Sequence, residues 1–577
     1  MRPAALPGYD PRLMPHYLLS WGAPSHRLFD ITIRFTAPAD TPRLLLPAWR
    51  PGRYLIQNYA ANVREWSAGD AAVWKDGLTS WRVDARAGEE VTFRYRYYAG
   101  VLDAGSSFLD EGEAYFNGSN LFMMVEGLRG EEHLLTIAAP MDWLIETQLP
   151  REDGQTFRAR DFDHLIDSPT IASAALTRHS FREGDARVHL VFQDAGGIDA
   201  EGFVEPVRAI VRTQGELFGG LPFSDYRFLY HVRDRWHGVE HEDSCSVTLR
   251  RDELLGARPG SDGFDRFFSI TAHEFFHVWM VKRIVPAAFT PYDYWQATPT
   301  RLLWVMEGVT SYYGERTLVM GGLWTVERYL KHLATEIRTF EGLPAREHLS
   351  LAQASFDGWL SDPAQMHDYG NAWFSFYNKG EIVATLLDLT IRRATEGARS
   401  LDDVMRLLWE EYGQSRRGLE EDGFERAVSR VADVGDFFVR YVEGTEPLPY
   451  EELFAAAGVA FASTPRDPEA SALGARLKAD GGRLVVESAI RGGAAMDAGL
   501  LPGDELLALG ETRTGTEAAL TAALRALRIG ESVGMLIARA GVIRRLSLEA
   551  RPDPRPVVSL QLTGPNELRR GWLRSEE

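Results

Sequence analysis

The sequence holds a single cysteine, Cys245, in 577 residues. One thiol excludes an intramolecular disulfide and a paired-cysteine metal knuckle, so any bound metal must be held by histidine and carboxylate. No run approaches the roughly eighteen apolar residues that a membrane-spanning helix needs, so no membrane span is expected. There is no internal repeat and no low-complexity tract. Positive charge is scarce, with 63 Lys and Arg against 82 Asp and Glu and a formal net charge of −19, which argues against a nucleic-acid partner. An acidic surface can attract a cationic group such as a free peptide amine, or simply keep the protein dissolved. The opening Met1-Arg2-Pro3-Ala4-Ala5-Leu6-Pro7 has one basic residue, and its prolines break the apolar stretch. It does not read as a signal peptide, and a cytoplasmic location is the expectation.

With 45% hydrophobic and 25% charged residues, the composition is that of a globular protein too long for one core. Ile31, Ile33 and Phe35 alternate with polar residues, as do Val91, Phe93, Tyr95 and Tyr97. That period of two marks half-buried strands. Val188, Leu190 and Phe192 add a further strand, and residues 1–195 are expected to form a sandwich-like β-domain. From residue 196 to about 450 the apolar spacing becomes three and four, as in helices, over Phe264–Val281, Arg301–Met320, Trp324–Phe340 and Gly380–Arg393. A third unit over 460–552, beginning after Ser463-Thr464-Pro465, alternates short strands with a helix over Glu517–Leu527. Residues 553–577, rich in Pro, Arg and Glu, are expected to be a loosely attached tail. The fold class expected is multidomain α+β.

The strongest chemical signal is Thr271-Ala272-His273-Glu274-Phe275-Phe276-His277. Two histidines four apart on a helix project from one face and can share a cation, and imidazole suits Zn²⁺. In this HExxH arrangement the glutamate serves as general base. The alternative is a pair of satisfied core histidines beside a salt-bridged glutamate. A catalytic zinc site has three protein ligands and one open position. Glu307, in the apolar stretch Leu303-Trp304-Val305-Met306-Glu307-Gly308, is the candidate third ligand, because a carboxylate in such surroundings needs a compensating cation. Glu315 lies on the same predicted helix in more polar company.

HEFFHVWMVKRI followed by LLWVMEGVTSYY resembles the glycyl aminopeptidase-like family of gluzincins, metallopeptidases with a C-terminal PDZ domain. The resemblance extends to Leu44–Tyr54 (LLLPAWRPGRY), Leu165–Pro169 (LIDSP), Gly238–His241 (GVEH), Tyr377–Gly380 (YNKG) and Tyr441–Gly444 (YVEG), in the family's order. It implies an N-terminal β-domain, a thermolysin-like catalytic domain with a helical C-terminal part, and a PDZ domain over 460–552. One Zn²⁺ per chain would be held by His273, His277 and Glu307, despite the 29 residues between the last two. By the same resemblance Tyr377 stabilises the tetrahedral intermediate, unless it is a core tyrosine at a helix start. Gly238 belongs to the strand along the substrate, and Glu240 holds the substrate's α-ammonium, with Glu242 and Asp243 close by. His241 would orient Glu240 or line the pocket. The activity implied is removal of an N-terminal residue, with a preference for Gly and Ala, from peptides with a free amine. An endopeptidase and a catalytically inactive PDZ scaffold are the competing readings. Gly493–Asp504 resembles a PDZ segment, but Ala472-Leu473-Gly474-Ala475 departs from the usual GLGF loop, so the PDZ ligand could be a peptide or another domain.

Overall fold

A computed structural model describes residues 14–361, 366 and 368–574. The leader reading at Met1–Pro7 lies outside the described residues. The chain divides into two compact units. The first comprises Met1–Thr298, Tyr313–Leu323 and Leu408–Leu419, and the second Pro299–Tyr312, Trp324–Leu407 and Glu420–Glu577. Among the described residues no helix is long and apolar enough to cross a membrane.

The first unit opens with the expected β-structure. Strand Leu28–Thr36 buries every second side chain and pairs antiparallel with His16–Trp21 on one side and Glu90–Tyr98 on the other, inside a seven-stranded sheet. Two four-stranded sheets share its core, where Tyr17, Ile31, Ile33 and Phe93 meet Leu44, Trp81 and Phe116.

Strand Ala186–Gln193, expected to close this β-domain, belongs elsewhere. It pairs in parallel with Asp225–Arg233, which pairs in parallel with Ser244–Arg250. Leu176–Glu183 flanks one edge of this five-stranded mixed sheet and His237–Glu240 runs antiparallel along the other. The β-domain therefore ends before Leu176 rather than near 195. Alternation identifies a strand but not its sheet, whereas the nearly continuous burial of Ala186–Gln193 is that of a strand covered on both faces. Helices Val204–Phe218 and Asp262–Phe276 pack on this sheet.

The second unit is helical up to Tyr450–Ala456, with Val326–Glu341 and Phe376–Ala394 as its longest helices. A sheet ordered Ala475–Asp480, Arg483–Ala489, Glu505–Leu509, Ser532–Arg539, Val542–Glu549 follows, with helix Glu517–Arg525 beside it. The expected boundary at Ser463-Thr464-Pro465 falls instead inside strand Val459–Arg466, which pairs antiparallel with Asp553–Leu562. The expected loose tail is thus strand and helix. Helix Glu567–Leu573 buries Arg569, Trp572 and Leu573, and residues 575–577 lie outside the described residues. A pairing that joins segments about ninety residues apart leaves no local trace in composition, and the arginines and prolines concealed it.

Candidate active site

Helix Asp262–Phe276 starts at Ser261, whose hydroxyl accepts a hydrogen bond from the Phe264 N–H at 3.4 Å. His273 lies in the last turn and His277 is the residue that caps it. Sharing one face, their Nε2 atoms come within 3.2 Å. With metal–nitrogen bonds of about 2.0–2.1 Å, two such nitrogens subtend roughly 100° at the metal, near the tetrahedral angle, so the pair fits one Zn²⁺. The helix is held from behind. Gln214 Nε2 donates to the Ala272 carbonyl at 2.8 Å, and the Tyr313 ring stacks on Phe276 at 4.7 Å. Gly314 faces His273 so closely that a Cβ there would stand 3.2 Å from the His273 backbone.

A His277 ring nitrogen and one carboxylate oxygen each of Glu274 and Glu240 lie within 4.8 Å of one another. Glu274 comes from the helix and Glu240 from the antiparallel edge strand. Gly238 makes room between them, since a Cβ on it would fall 2.0 Å from Glu274 Oε1. Glu240 is 4% exposed, and its Oε1 has no hydrogen-bond partner among the described residues. Its other oxygen rests against Gly52, where a Cβ would come within 2.3 Å and where φ is +80°. The Pro51-Gly52 turn of the β-domain therefore closes over one side of this carboxylate. A buried carboxylate oxygen lacking a donor is costly, and a cation is its natural complement.

His241 continues this strand, but its ring serves other partners. Nδ1 donates to Asp167 Oδ1 at 3.1 Å and Nε2 accepts from Asn117 Nδ2 at 3.4 Å. Burial lowers its pKa and outweighs the pull of Asp167. Asp167 also accepts from Lys282 Nζ at 2.7 Å and from the Glu242 N–H at 2.9 Å. Burial alone would raise the Asp167 carboxyl, yet Lys282 and His241 hold it well below the usual range. His241, Asp167 and Lys282 line a cavity of about 170 Å³ with Tyr292 and Arg416. Asp167 and Lys282 went unassigned in the sequence. The signal available was a charged residue set among apolar ones, in LIDSP and again in MVKRI.

Glu242 and Asp243 do not join the cluster. Arg283 bonds Asp243 at 2.8 Å, and Glu242 pairs with Arg160 and Arg416. Burial raises the Glu242 pKa, but the attraction of Arg416, Arg160 and Arg283 outweighs it and holds the carboxyl at about 2. A folded pKa below the unfolded value contributes stability that is present above the unfolded pKa and lost as pH falls through the folded one. The contribution is about 3 kcal/mol at neutral pH. Thermal melts from pH 7 down to pH 2 are expected to fall steeply below about pH 4.5. Glu242→Gln would lower the neutral melting temperature and flatten that fall, and an unchanged slope would refute the assignment.

In the second unit, Glu307 is 1% exposed in a single π-helical turn, Trp304–Val309, that continues without a break as helix Thr310–Met320. Such i→i+5 turns occur frequently at functional sites. Tyr377 is half-buried in the first turn of helix Phe376–Ala394, and its N–H donates to the Ser375 hydroxyl at 3.2 Å. The two helices cross at glycines. A Cβ on Gly308 would stand 2.5 Å from the Gly380 Cα, and one on Gly380 would stand 2.9 Å from the Gly308 Cα. Lys379, from the same YNKG segment, is buried over the Phe340 and Phe374 rings, and burial lowers its pKa to about 8. Glu315 lies in the first unit and accepts a hydrogen bond from Ser269.

Residues 16–174 match the peptidase M61 N-terminal domain and residues 266–383 match M61 glycyl aminopeptidase. The second stretch contains His273, Glu274, His277, Glu307 and Tyr377. A crystal structure described as an aminopeptidase N family protein, from Idiomarina loihiensis, is similar with a TM-score of 0.92 at 28% identity, over 97% of this chain and 100% of that one. An M1 zinc metallopeptidase from Deinococcus radiodurans, a mutant bound to a Tyr-Ser-Ala substrate, is similar at a TM-score of 0.46 and 15% identity, over 76% of this chain and 94% of that one. No curated protein matches.

Proposed function

We propose that this metallopeptidase, whose residues 16–174 and 266–383 match the two M61 domains, is a zinc-dependent aminopeptidase acting on peptides with a free N-terminus. The observation that carries this reading is Glu240, a buried carboxylate with one oxygen lacking a partner among the described residues, set beside Glu274 and backed by Gly52. A fixed carboxylate at the end of a substrate-binding edge strand pairs with an α-ammonium and sets the register one residue from the N-terminus. That favours an exopeptidase over an endopeptidase.

His273, His277 and Glu307 would hold the zinc. When bound, the metal supplies Lewis acidity that lowers the pKa of water to about 7 and polarises a carbonyl. The peptide lies along His237–Glu240 with its amine on Glu240. Glu274, seated against Gly238, takes the proton of the attacking water and returns it to the leaving amine. Tyr377 donates a neutral hydrogen bond to the developing oxyanion. A preference for Gly and Ala is part of the proposal, as is a PDZ-type role for residues 460–552. In residues 460–552 the strand Ala475–Asp480 is an edge strand that pairs on one side only among the described residues, and its other side is open to an added peptide strand.

The test compares Gly- and Ala-initiated peptides with their N-acetylated forms, with a chelator control. Only the free-amine set is expected to be cleaved, and only without chelator. Glu240→Gln should raise KM by about 10- to 100-fold, the worth of a charge-assisted pair, with zinc retained. Equal cleavage of both sets would establish an endopeptidase instead.

A further inference from the structure

The last described helix of the chain, Glu567–Leu573, reaches the helices that carry Glu307 and Tyr377. Trp572 Nε1 donates to the Tyr312 hydroxyl at 3.2 Å, and that hydroxyl donates to Asp388 Oδ2 at 2.6 Å. Tyr312 lies five residues beyond Glu307, and Asp388 eleven beyond Tyr377 on its helix. Asp388 is fully buried and satisfied on every side. Arg392 Nε donates to its Oδ2 at 3.0 Å and the Leu401 N–H to its Oδ1 at 2.8 Å. Trp572 is itself fully buried with its ring 5.8 Å from Tyr329. Arg569 anchors the short helix, donating to the Gly458 and Gly564 carbonyls at 2.9 and 2.8 Å.

A second contact lies just ahead of Tyr377. Asn371 Nδ2 donates to the Ala489 carbonyl at 2.7 Å and Asn371 Oδ1 accepts from the Arg491 N–H at 2.9 Å. Asn371 thus extends one strand end of the C-terminal sheet onto the segment leading into the Tyr377 helix. Arg491 Nη2 continues to Glu347 at 2.8 Å.

We propose that the C-terminal segment is a brace for the catalytic helices, with Trp572, through Tyr312 and Asp388, and Asn371 acting as positioning residues for Glu307 and Tyr377. A buried hydroxyl that both accepts and donates fixes rotation and advance of its helix at once. Gly308 and Gly380 already hold the two helices backbone to backbone, and the Tyr312–Asp388 bond locks the same pair again, four residues beyond Gly308 and eight beyond Gly380. Loss of the Trp572 donor leaves the packing but removes one of the bonds that hold the Tyr312 hydroxyl on Asp388. The consequence falls on chemistry and metal retention rather than on substrate binding at Glu240, which belongs to the other unit. This inference rests on the zinc aminopeptidase reading above.

Trp572→Phe, Tyr312→Phe and Asn371→Ala would be made in the full chain. For each, kcat, KM, the melting temperature and the rate of zinc loss to a chelator would be measured. The first two variants are expected to lower kcat roughly three- to tenfold, the effect of one buried hydrogen bond. KM should stay within about twofold and zinc loss should quicken by a similar factor. Because the two act through one hydroxyl, the double variant should be no worse than Tyr312→Phe alone. Asn371→Ala should lower kcat without altering KM. Unchanged kcat and zinc loss in folded variants would overturn the brace, as would losses that merely follow the unfolded fraction. A wild-type protein that holds no zinc and cleaves no free-amine peptide would sink both the function and the brace.

Discussion

Replacing Glu274 by glutamine is expected to cut kcat by about 10²- to 10⁴-fold, the usual worth of a positioned general base, while zinc stays bound. Glutamine keeps the shape of the side chain but cannot take a proton. The seat on Gly238 is tight enough, with Oε1 2.0 Å from where a Cβ would be, that the amide should lie where the carboxylate lay. Glu274 is 6% exposed, so bulk water cannot readily stand in as base. Metal content by mass spectrometry and single-turnover kinetics together decide the matter. Retained zinc with kcat within tenfold of wild type would remove Glu274 from the proton-transfer role.

The second large effect concerns the metal. His277→Ala should weaken zinc binding by well over 100-fold, since loss of a mere supporting partner of a ligand costs about 10- to 100-fold. Hydrolysis should vanish with the metal. Excess zinc is expected to raise the melting temperature of wild type but not of the variant, because only a state that binds the ion gains from it. Calorimetric titration of both apoproteins reads this directly. Stoichiometric, tight zinc in His277→Ala would mean that the ion is held elsewhere.

Much of the site was legible in the sequence because its parts are local. His273 and His277 are four residues apart on one helix, and Glu274 lies between them. The helices expected over Trp324–Phe340, Gly380–Arg393 and Glu517–Leu527, found as Val326–Glu341, Phe376–Ala394 and Glu517–Arg525, also follow from periodicity within a single element. What escaped depends on partners distant in the chain. Nothing near Ala186–Gln193 says that it pairs with Asp225–Arg233, and nothing near Asp553–Leu562 says that Val459–Arg466 is its neighbour. Asp167 and Lys282 are 115 residues apart and acquire meaning only when they meet. His241 lies just past strand His237–Glu240, and its bonds to Asp167 and Asn117 could not be read from the four residues around it.

The contact between Gly308 and Gly380 constrains the history of the chain as well as its geometry. Two helices that touch main chain to main chain have no layer of side chains to yield, and a methyl added to either one meets backbone that cannot turn aside. Neither glycine can drift alone. The residues beside them, Glu307 on one helix and Tyr377 on the other, are carried by what is mechanically a single part. A substitution at this crossing therefore tests both helices at once, and a lineage that lost either glycine would have had to re-space the pair before recovering either residue.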